Sequence, residues 1–203
     1  MHQNTIDYYN QNARDFASAT IAVEFASMQS RFAGKLSDGA AILDFGCGSG
    51  RDTKYFMEKG FRVDAADGSA ELCRIASEYT GIQVKQQLFQ ELDVHEIYDG
   101  IWACSSILHL AKPELKDVLE KMAEAVRGNG IIYTSFKYGT FEGIRKGRYF
   151  TDMTEAAFAD FMKDIKSLET EEQWVTSDVR PGRGEEKWLN LILRKKKTAN
   201  GIR

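Results

Sequence analysis

Three glycines at alternate positions follow a short apolar run near residue 45. The segment 42–52 reads ILDFGCGSGRD and places Gly46, Gly48 and Gly50 between a candidate strand and a candidate helix. Glycine permits a tight turn and lets a ligand approach the backbone closely. A helix that begins there presents free N–H groups at its N-terminus. The segment therefore predicts a ligand-binding site at the end of this strand.

Two carboxylates near the glycines indicate the chemistry of the ligand. Asp44 precedes the first glycine by two residues, where its charge would repel a diphosphate and attract an ammonium group. Asp67 ends the next apolar run, where a carboxylate can accept two hydrogen bonds from a ribose diol. Asp64 is the alternative, but it lies three residues inside that run. The pattern favours Asp67 and a ligand that contains both a ribose and an ammonium group.

A nicotinamide dinucleotide is the competing ligand, and it would make the chain an oxidoreductase. Its fingerprint is G-x-G-x-x-G, in which the third glycine lets the helix pack closely. Here Arg51 occupies the place of that third glycine. The spacing therefore disfavours a dinucleotide.

Short apolar runs alternate with helical patterns along the chain, which is typical of a parallel sheet covered on both faces. The predicted strands are 40–45, 61–66, 81–86, 98–104 and 130–136. The predicted helices are 52–59, 69–79, 113–127 and 155–165. The segments 167–177 and 187–195 predict an antiparallel pair that follows them.

The chain is expected to form a single domain, 1–203, because no repeat or low-complexity linker interrupts it. Residues 1–36 form a helical lead-in that we expect to close over the ligand as a lid, with Tyr9 and Thr20 facing it. Residues 37–195 form the α/β core, and residues 196–203 form a basic tail.

The motif D-x-G-x-G-x-G after the first strand and the acidic residue after the second strand resemble the class I S-adenosylmethionine-dependent methyltransferases. The resemblance is greatest to small bacterial enzymes of the tellurite-resistance-like, small-molecule branch. It implies a doubly wound, mostly parallel α/β sheet of seven strands in the order 3-2-1-4-5-7-6, with strand seven antiparallel. It also implies S-adenosylmethionine as cofactor, S-adenosylhomocysteine as product, and methyl transfer by in-line displacement.

The resemblance and the residue pattern together predict the site. Family members often carry an acidic residue for adenine after strand three, but Leu88 and Phe89 stand there, so apolar contact would hold the base. His109, after strand four, is the candidate catalytic base, although a structural role is equally compatible with one histidine. The predicted cofactor-binding residues are Asp44, Gly46, Cys47, Gly48, Gly50, Arg51, Asp67, Gly68, Leu88, Phe89, Cys104, Tyr9 and Thr20.

Two basic segments mixed with aromatic residues predict where the methyl acceptor binds. They follow strands five and six, whose ends should meet at the ligand edge of the sheet. Guanidinium groups suit carboxylates and phosphates, so the expected acceptor is small and anionic. The predicted acceptor-binding residues are Lys137, Arg148, Tyr149, Arg180 and Arg183.

The overall charge is −3, from 27 Lys and Arg against 30 Asp and Glu. This balance disfavours a nucleic-acid or membrane partner but leaves an RNA methyltransferase open, because the basic segments could meet phosphates. No apolar run approaches the roughly 20 residues of a membrane span and no leader is evident, so we expect a cytoplasmic protein. The spacing of the three cysteines and three histidines predicts no metal site. Both a monomer and a homodimer remain open.

Overall fold

A seven-stranded sheet runs through the molecule, with helices on both of its faces. The computed structural model describes residues 3–180 and 182–197. The strands are β1 (Ala41–Phe45), β2 (Arg62–Asp67), β3 (Lys85–Gln86), β4 (Tyr98–Ala103), β5 (Val126–Lys137), β6 (Glu142–Arg145), β7 (Arg148–Thr151), β8 (Leu168–Ser177) and β9 (Lys187–Lys195). The α-helices are α1 (Gln3–Gln11), α2 (Ala13–Thr20), α3 (Ala26–Ala33), α4 (Arg51–Glu58), α5 (Ala70–Thr80), α6 (Lys112–Ala125) and α7 (Glu155–Phe161).

The order of the large sheet is β3-β2-β1-β4-β5-β9-β8. The strands from β1 to β5 are parallel to one another, and β9 is antiparallel to both β5 and β8. Counted within this sheet alone, the order is 3-2-1-4-5-7-6 with strand seven antiparallel. The predicted fold class and strand order are therefore confirmed.

Two apolar layers hold the central strands in place. On one face, Leu115 and Met122 of α6 pack against the sheet with Phe158 of α7. On the other face, the Trp102 ring stacks on Tyr133 at 4.0 Å between ring centroids. Buried on both faces, β1 and β4 carry the near-continuous apolar runs expected of parallel strands. Their carboxyl ends therefore stand at fixed positions.

The structure corrects the bounds of three predicted elements and adds a hairpin that was not predicted. The third strand is only Lys85–Gln86, because Gly81 ends α5 in a left-handed conformation with φ of 82° and the chain then turns. The sixth helix ends at Ala125, and β5 begins at the next residue. The segment after β5 forms a hairpin, β6 and β7, where the sequence analysis described only a basic segment.

No helix within residues 3–180 and 182–197 combines the length and the apolar character needed to cross a membrane. The described part of the predicted basic tail is limited to residues 196–197, and the rest of it lies outside the described residues.

Candidate active site

A cavity, which we call the main cavity, lies along the carboxyl edge of the parallel strands. Its walls come from the glycine loop after β1, the end of β2, the loop after β4, the end of β5, the lead-in helices, the β6–β7 hairpin and the β8–β9 connection. β2 and β1 stand on one side of β4 in the sheet, and β5, β9 and β8 stand on the other. The cavity therefore has a glycine-loop end and a basic end, with the loop after β4 between them.

Most of the predicted site residues line this cavity. Asp44, Gly50, Leu88 and Tyr149 do not. Those that do are Gly46, Cys47, Gly48, Arg51, Asp67, Gly68, Phe89, Cys104, Tyr9, Thr20, His109, Lys137, Arg148, Arg180 and Arg183.

Three backbone N–H groups of the glycine loop, those of Gly46, Cys47 and Gly48, are already used within the fold. Gly46 and Cys47 donate to the Ala66 carbonyl at 2.8 and 3.0 Å, and Gly48 donates to the Asp67 carboxylate at 2.9 Å. These donors cannot cradle a diphosphate without breaking bonds of the fold. The expectation that the loop turns its N–H groups towards a ligand is therefore corrected for Gly46, Cys47 and Gly48, and these three donors give no support to the dinucleotide alternative.

The glycines are needed chiefly for close packing. A Cβ added at Gly46, whose φ is 84°, would stand 2.4 Å from the Ser106 Cβ. A Cβ at Gly50, whose φ is 80°, would stand 2.8 Å from Thr80 of α5. Gly50 therefore lets α4 and α5 approach each other, which explains why it does not reach the cavity.

Asp67 is the carboxylate that faces the cavity from the end of β2. Its Oδ2 accepts from the Gly48 N–H at 2.9 Å and its Oδ1 accepts from the Ser69 N–H at 2.8 Å. Burial raises the pKa of Asp67, although hydrogen bonds from Ser69 and Gly48 act in the opposite direction. Each carboxylate oxygen has a second lone pair, so Asp67 is held in place and can still accept from a ligand.

Asp44 was predicted to contact the ligand, but it lies behind the cavity wall and does not line the main cavity. It is 1% exposed, and the Thr53 hydroxyl donates to it at 2.5 Å. Burial, and then the nearby Asp52 carboxylate, raise the pKa of Asp44 to about 8. β1 is buried on both faces, so a side chain this close to its end remains inside the core.

The Asp44→Asn variant should gain stability relative to the wild type as the pH rises. Between about pH 4 and pH 8 the folded wild type retains a proton that the unfolded chain releases, so Asp44 lowers the free energy of unfolding progressively over that range. Asparagine keeps an acceptor for Thr53 and removes this titration. Urea unfolding of both proteins at pH 5 and pH 8 should show the difference growing, by at most about 1.4 kcal/mol per pH unit. A pH-independent difference would contradict the buried-acid assignment.

The sequence analysis missed Asp52 as a site residue, although it ends the quoted motif. Gln29 donates to its Oδ1 at 2.7 Å, the Trp102 indole donates to its Oδ2 at 2.8 Å, and Arg51 adds two hydrogen bonds. Arg51 also stacks on Phe25. Asp52 thus joins the lead-in, the glycine loop and β4. An acidic residue in the first turn of a helix was the signal in the sequence.

Tyr9 links the lead-in to His109 in the middle of the cavity. The His109 Nδ1 lies 2.6 Å from the Tyr149 carbonyl, which can only accept, so Nδ1 carries the proton. Nε2 therefore accepts from the Tyr9 hydroxyl at 2.9 Å, and the Tyr9 oxygen accepts from Arg148 at 3.3 Å. Burial lowers the pKa of His109 to about 4, so the imidazole is neutral at pH 7. The Tyr149 side chain instead contacts Glu142, which explains its position outside the cavity.

The three cysteines form no disulfide. Burial raises the pKa of Cys104 to about 12 and raises that of Cys47 well above its usual value. Both are therefore thiols near pH 7 and act as small wall residues rather than nucleophiles. Across residues 3–180 and 182–197, no cluster of three or more His, Cys, Asp or Glu side chains could hold a metal ion.

Carboxylates occupy the arginines of the β8–β9 connection. Arg180 makes two side-chain hydrogen bonds to Asp178, at 2.9 and 2.5 Å. Arg183 makes two to Glu186, at 2.6 and 2.7 Å, and Lys137 pairs with the same carboxylate. Burial would raise the pKa of Asp178, but hydrogen bonds from Arg180 lower it well below its usual range. These arginines lie at the predicted edge of the sheet, but each guanidinium group already makes two hydrogen bonds to a carboxylate, that of Asp178 or that of Glu186.

A known family model resembles the part of the chain from β1 to the first residues of β5. Residues 42–130 match the model of a methyltransferase domain. This match covers less than half of the chain. A malonyl-[acyl-carrier protein] O-methyltransferase of Salmonella typhimurium is 27% identical over 110 residues, which cover 53% of this chain and 43% of that enzyme. The matched region thus spans less than half the length of that relative.

Solved methyltransferase structures share the fold across nearly the whole chain. The Burkholderia thailandensis 1,6-didemethyltoxoflavin-N1-methyltransferase, crystallised with bound 1,6-didemethyltoxoflavin and S-adenosylhomocysteine, superposes with a TM-score of 0.75 and 23% identity, over 94% of this chain and 85% of that one. Magnesium protoporphyrin IX methyltransferase from Synechocystis PCC 6803, with bound S-adenosylmethionine, superposes with a TM-score of 0.72 and 16% sequence identity. The match covers 97% of this chain and 98% of that one. The methyltransferase fold therefore includes the lead-in helices and the terminal strands as well as residues 42–130.

Proposed function

We propose that this methyltransferase transfers the methyl group of S-adenosylmethionine to a small acceptor bound at the basic end of the main cavity. The observation that supports the proposal is the placement of Asp67 on the cavity wall beside a glycine loop in which the N–H groups of Gly46, Cys47 and Gly48 are already bonded. This donor set suits a ribose without a diphosphate. Relatives with the same fold bind S-adenosylmethionine or S-adenosylhomocysteine.

The glycine-loop end would hold the cofactor. Asp67 would accept from the ribose hydroxyls, and Phe89, which is 4% exposed, would offer an apolar surface to adenine. Gly68 lets Ile6 of α1 approach, since a Cβ there would stand 2.6 Å from the Ile6 Cδ1. The lead-in would act as a lid that excludes water. When bound, S-adenosylmethionine supplies a methyl group activated by its positive sulfur.

The middle of the cavity would orient the acceptor towards that methyl group. Tyr9 and His109 form a fixed pair, and Arg148 donates to Tyr9 from the basic side. With a pKa of about 4, His109 is a weak base. We therefore assign it the role of positioning Tyr9 and not the role of a general base. Alignment at about 3 to 3.5 Å can supply most of the catalysis when the acceptor is already a nucleophile.

Calorimetric titration tests the cofactor assignment. S-adenosylhomocysteine should bind with one site per chain, while NAD should give no binding heat. Hydrogen exchange in residues 5–25 should slow when S-adenosylhomocysteine is added, because the lid would pack onto it. Binding of NAD without binding of S-adenosylhomocysteine would overturn the proposal. Equal rates of hydrogen exchange with and without S-adenosylhomocysteine would contradict the assignment of the lead-in as a lid.

A further inference from the structure

A second cavity adjoins the basic end of the main cavity behind the β6–β7 hairpin, and we call it the hairpin cavity. Its volume is about 390 Å³. Lys137, Arg148, Phe150 and Arg183 line both cavities, so the two spaces are contiguous. The remaining residues that line it are Tyr138, Arg145, Lys146, Asp152, Glu185, Glu186 and Lys187.

The hairpin cavity carries an excess of positive charge. Six of its lining residues are cationic and three are acidic, which leaves a net charge of +3. Arg145 pairs with Asp152, while Arg183 and Lys137 share Glu186. Lys146 and Lys187 have no carboxylate partner in the described part of the chain. Internal ion pairs therefore do not neutralise this cavity.

The hairpin brings two guanidinium groups to one face, and Asp152 pairs with only one of them, that of Arg145. Arg145 and Arg148 stand directly opposite each other across β6 and β7, so their side chains share one face. Both stack against Phe150, at 4.6 and 5.2 Å from its ring centroid. Like charges at opposed positions destabilise a hairpin. Asp152 offsets the charge of Arg145, so an anion bound on this face would chiefly neutralise Arg148.

Arg148 has donors to spare. A guanidinium has five N–H donors, and the one hydrogen bond recorded for Arg148 among the described residues is the contact to Tyr9 at 3.3 Å. Its Nε is buried without a hydrogen-bond partner. Tyr8 packs against the guanidinium at 4.4 Å from its ring centroid and helps to hold it between the two cavities. This unsatisfied cation marks the junction of the main and hairpin cavities.

We propose that the hairpin cavity binds a phosphate group of the methyl acceptor, while the rest of the acceptor enters the main cavity past Arg148. This inference rests on the proposed function. A phosphate monoester carries a charge of about −1.5 to −2 at pH 7, so it neutralises an excess of three positive charges more completely than a single carboxylate does. Guanidinium forks bind phosphate oxygens in pairs. The substrate class is therefore a small phosphorylated molecule.

Titration with inorganic phosphate tests the inference on protein saturated with S-adenosylhomocysteine. The double variant Lys146→Gln with Lys187→Gln should bind phosphate at least tenfold more weakly than the wild type, because it removes two unpaired charges. The matched control is Lys163→Gln with Lys166→Gln, which removes the same charge from exposed positions that line neither cavity. Its phosphate affinity should equal that of the wild type. Acetate at equal ionic strength should bind at least tenfold more weakly than phosphate.

Three outcomes would overturn the inference. Equal losses of phosphate affinity in the two double variants would show a general charge effect, and acetate binding as tightly as phosphate would show an unselective basic patch. Tight binding of a short RNA that depends on Lys146 and Lys187 would make the occupant a nucleic acid. S-adenosylhomocysteine affinity, measured separately, should be the same in all variants, so a failure of the cofactor assignment remains distinguishable.

Discussion

Replacing Asp67 with alanine should reduce the affinity for S-adenosylhomocysteine by about 10²- to 10⁴-fold. The variant removes two hydrogen bonds from ribose hydroxyls to a charged acceptor, and each is worth roughly 1.5 to 3 kcal/mol. It also frees the Gly48 and Ser69 N–H groups, which would loosen the glycine loop. Calorimetric titration measures the loss, and circular dichroism establishes that the variant is folded.

Asp64 provides the matched control on the same strand. It is exposed, and its contact is with the Tyr98 hydroxyl at 2.9 Å rather than with the cavity. Asp64→Ala should therefore leave S-adenosylhomocysteine affinity unchanged. If Asp64→Ala weakened binding as much as Asp67→Ala, or if a folded Asp67→Ala variant bound normally, the ribose contact would have been assigned to the wrong carboxylate.

Substituting Gly46 with alanine should lower the free energy of unfolding by about 2 to 5 kcal/mol. A left-handed backbone costs a non-glycine residue about 1 to 2 kcal/mol. The new Cβ would also stand 2.4 Å from the Ser106 Cβ, and overpacking of this kind typically costs a further 1 to 3 kcal/mol. Urea unfolding monitored by fluorescence measures the change. Because Gly46 lines the main cavity, S-adenosylhomocysteine affinity should also fall.

Gly60 separates the two causes. Its φ is 86°, nearly the same as at Gly46, but a Cβ there would meet nothing within 4 Å. Gly60→Ala should therefore cost only the backbone contribution. In the double variant Gly46→Ala with Ser106→Gly, the combined loss should be smaller than the sum of the two single losses, because the overlapping methylene is gone. Equal losses for Gly46→Ala and Gly60→Ala would rule out close packing as the reason for Gly46.

The sequence by itself determined the fold class and the place of the glycine motif and Asp67 at one edge of the sheet. Alternating apolar runs and helical patterns reflect the periods of strands and helices, which depend on local geometry. The glycine motif and Asp67 each follow a predicted strand, and parallel strands end at the same edge of a sheet. This reasoning needs only the order of elements along the chain, and the cavity position of Asp67 agrees with it. The strand order, which the family resemblance implied, also agrees with the structure.

The tertiary structure alone decided which neighbouring side chains face the cavity and which partners they already have. Asp44 and Asp67 both follow the sequence pattern, but one is 1% exposed beneath Thr53 and the other lines the cavity. Arg180 and Arg148 both lie in basic segments. Arg180 pairs with Asp178, whereas Arg148 has no carboxylate partner in the described part of the chain. Burial and charge pairing depend on contacts between residues far apart in the chain. The local sequence pattern does not predict such contacts.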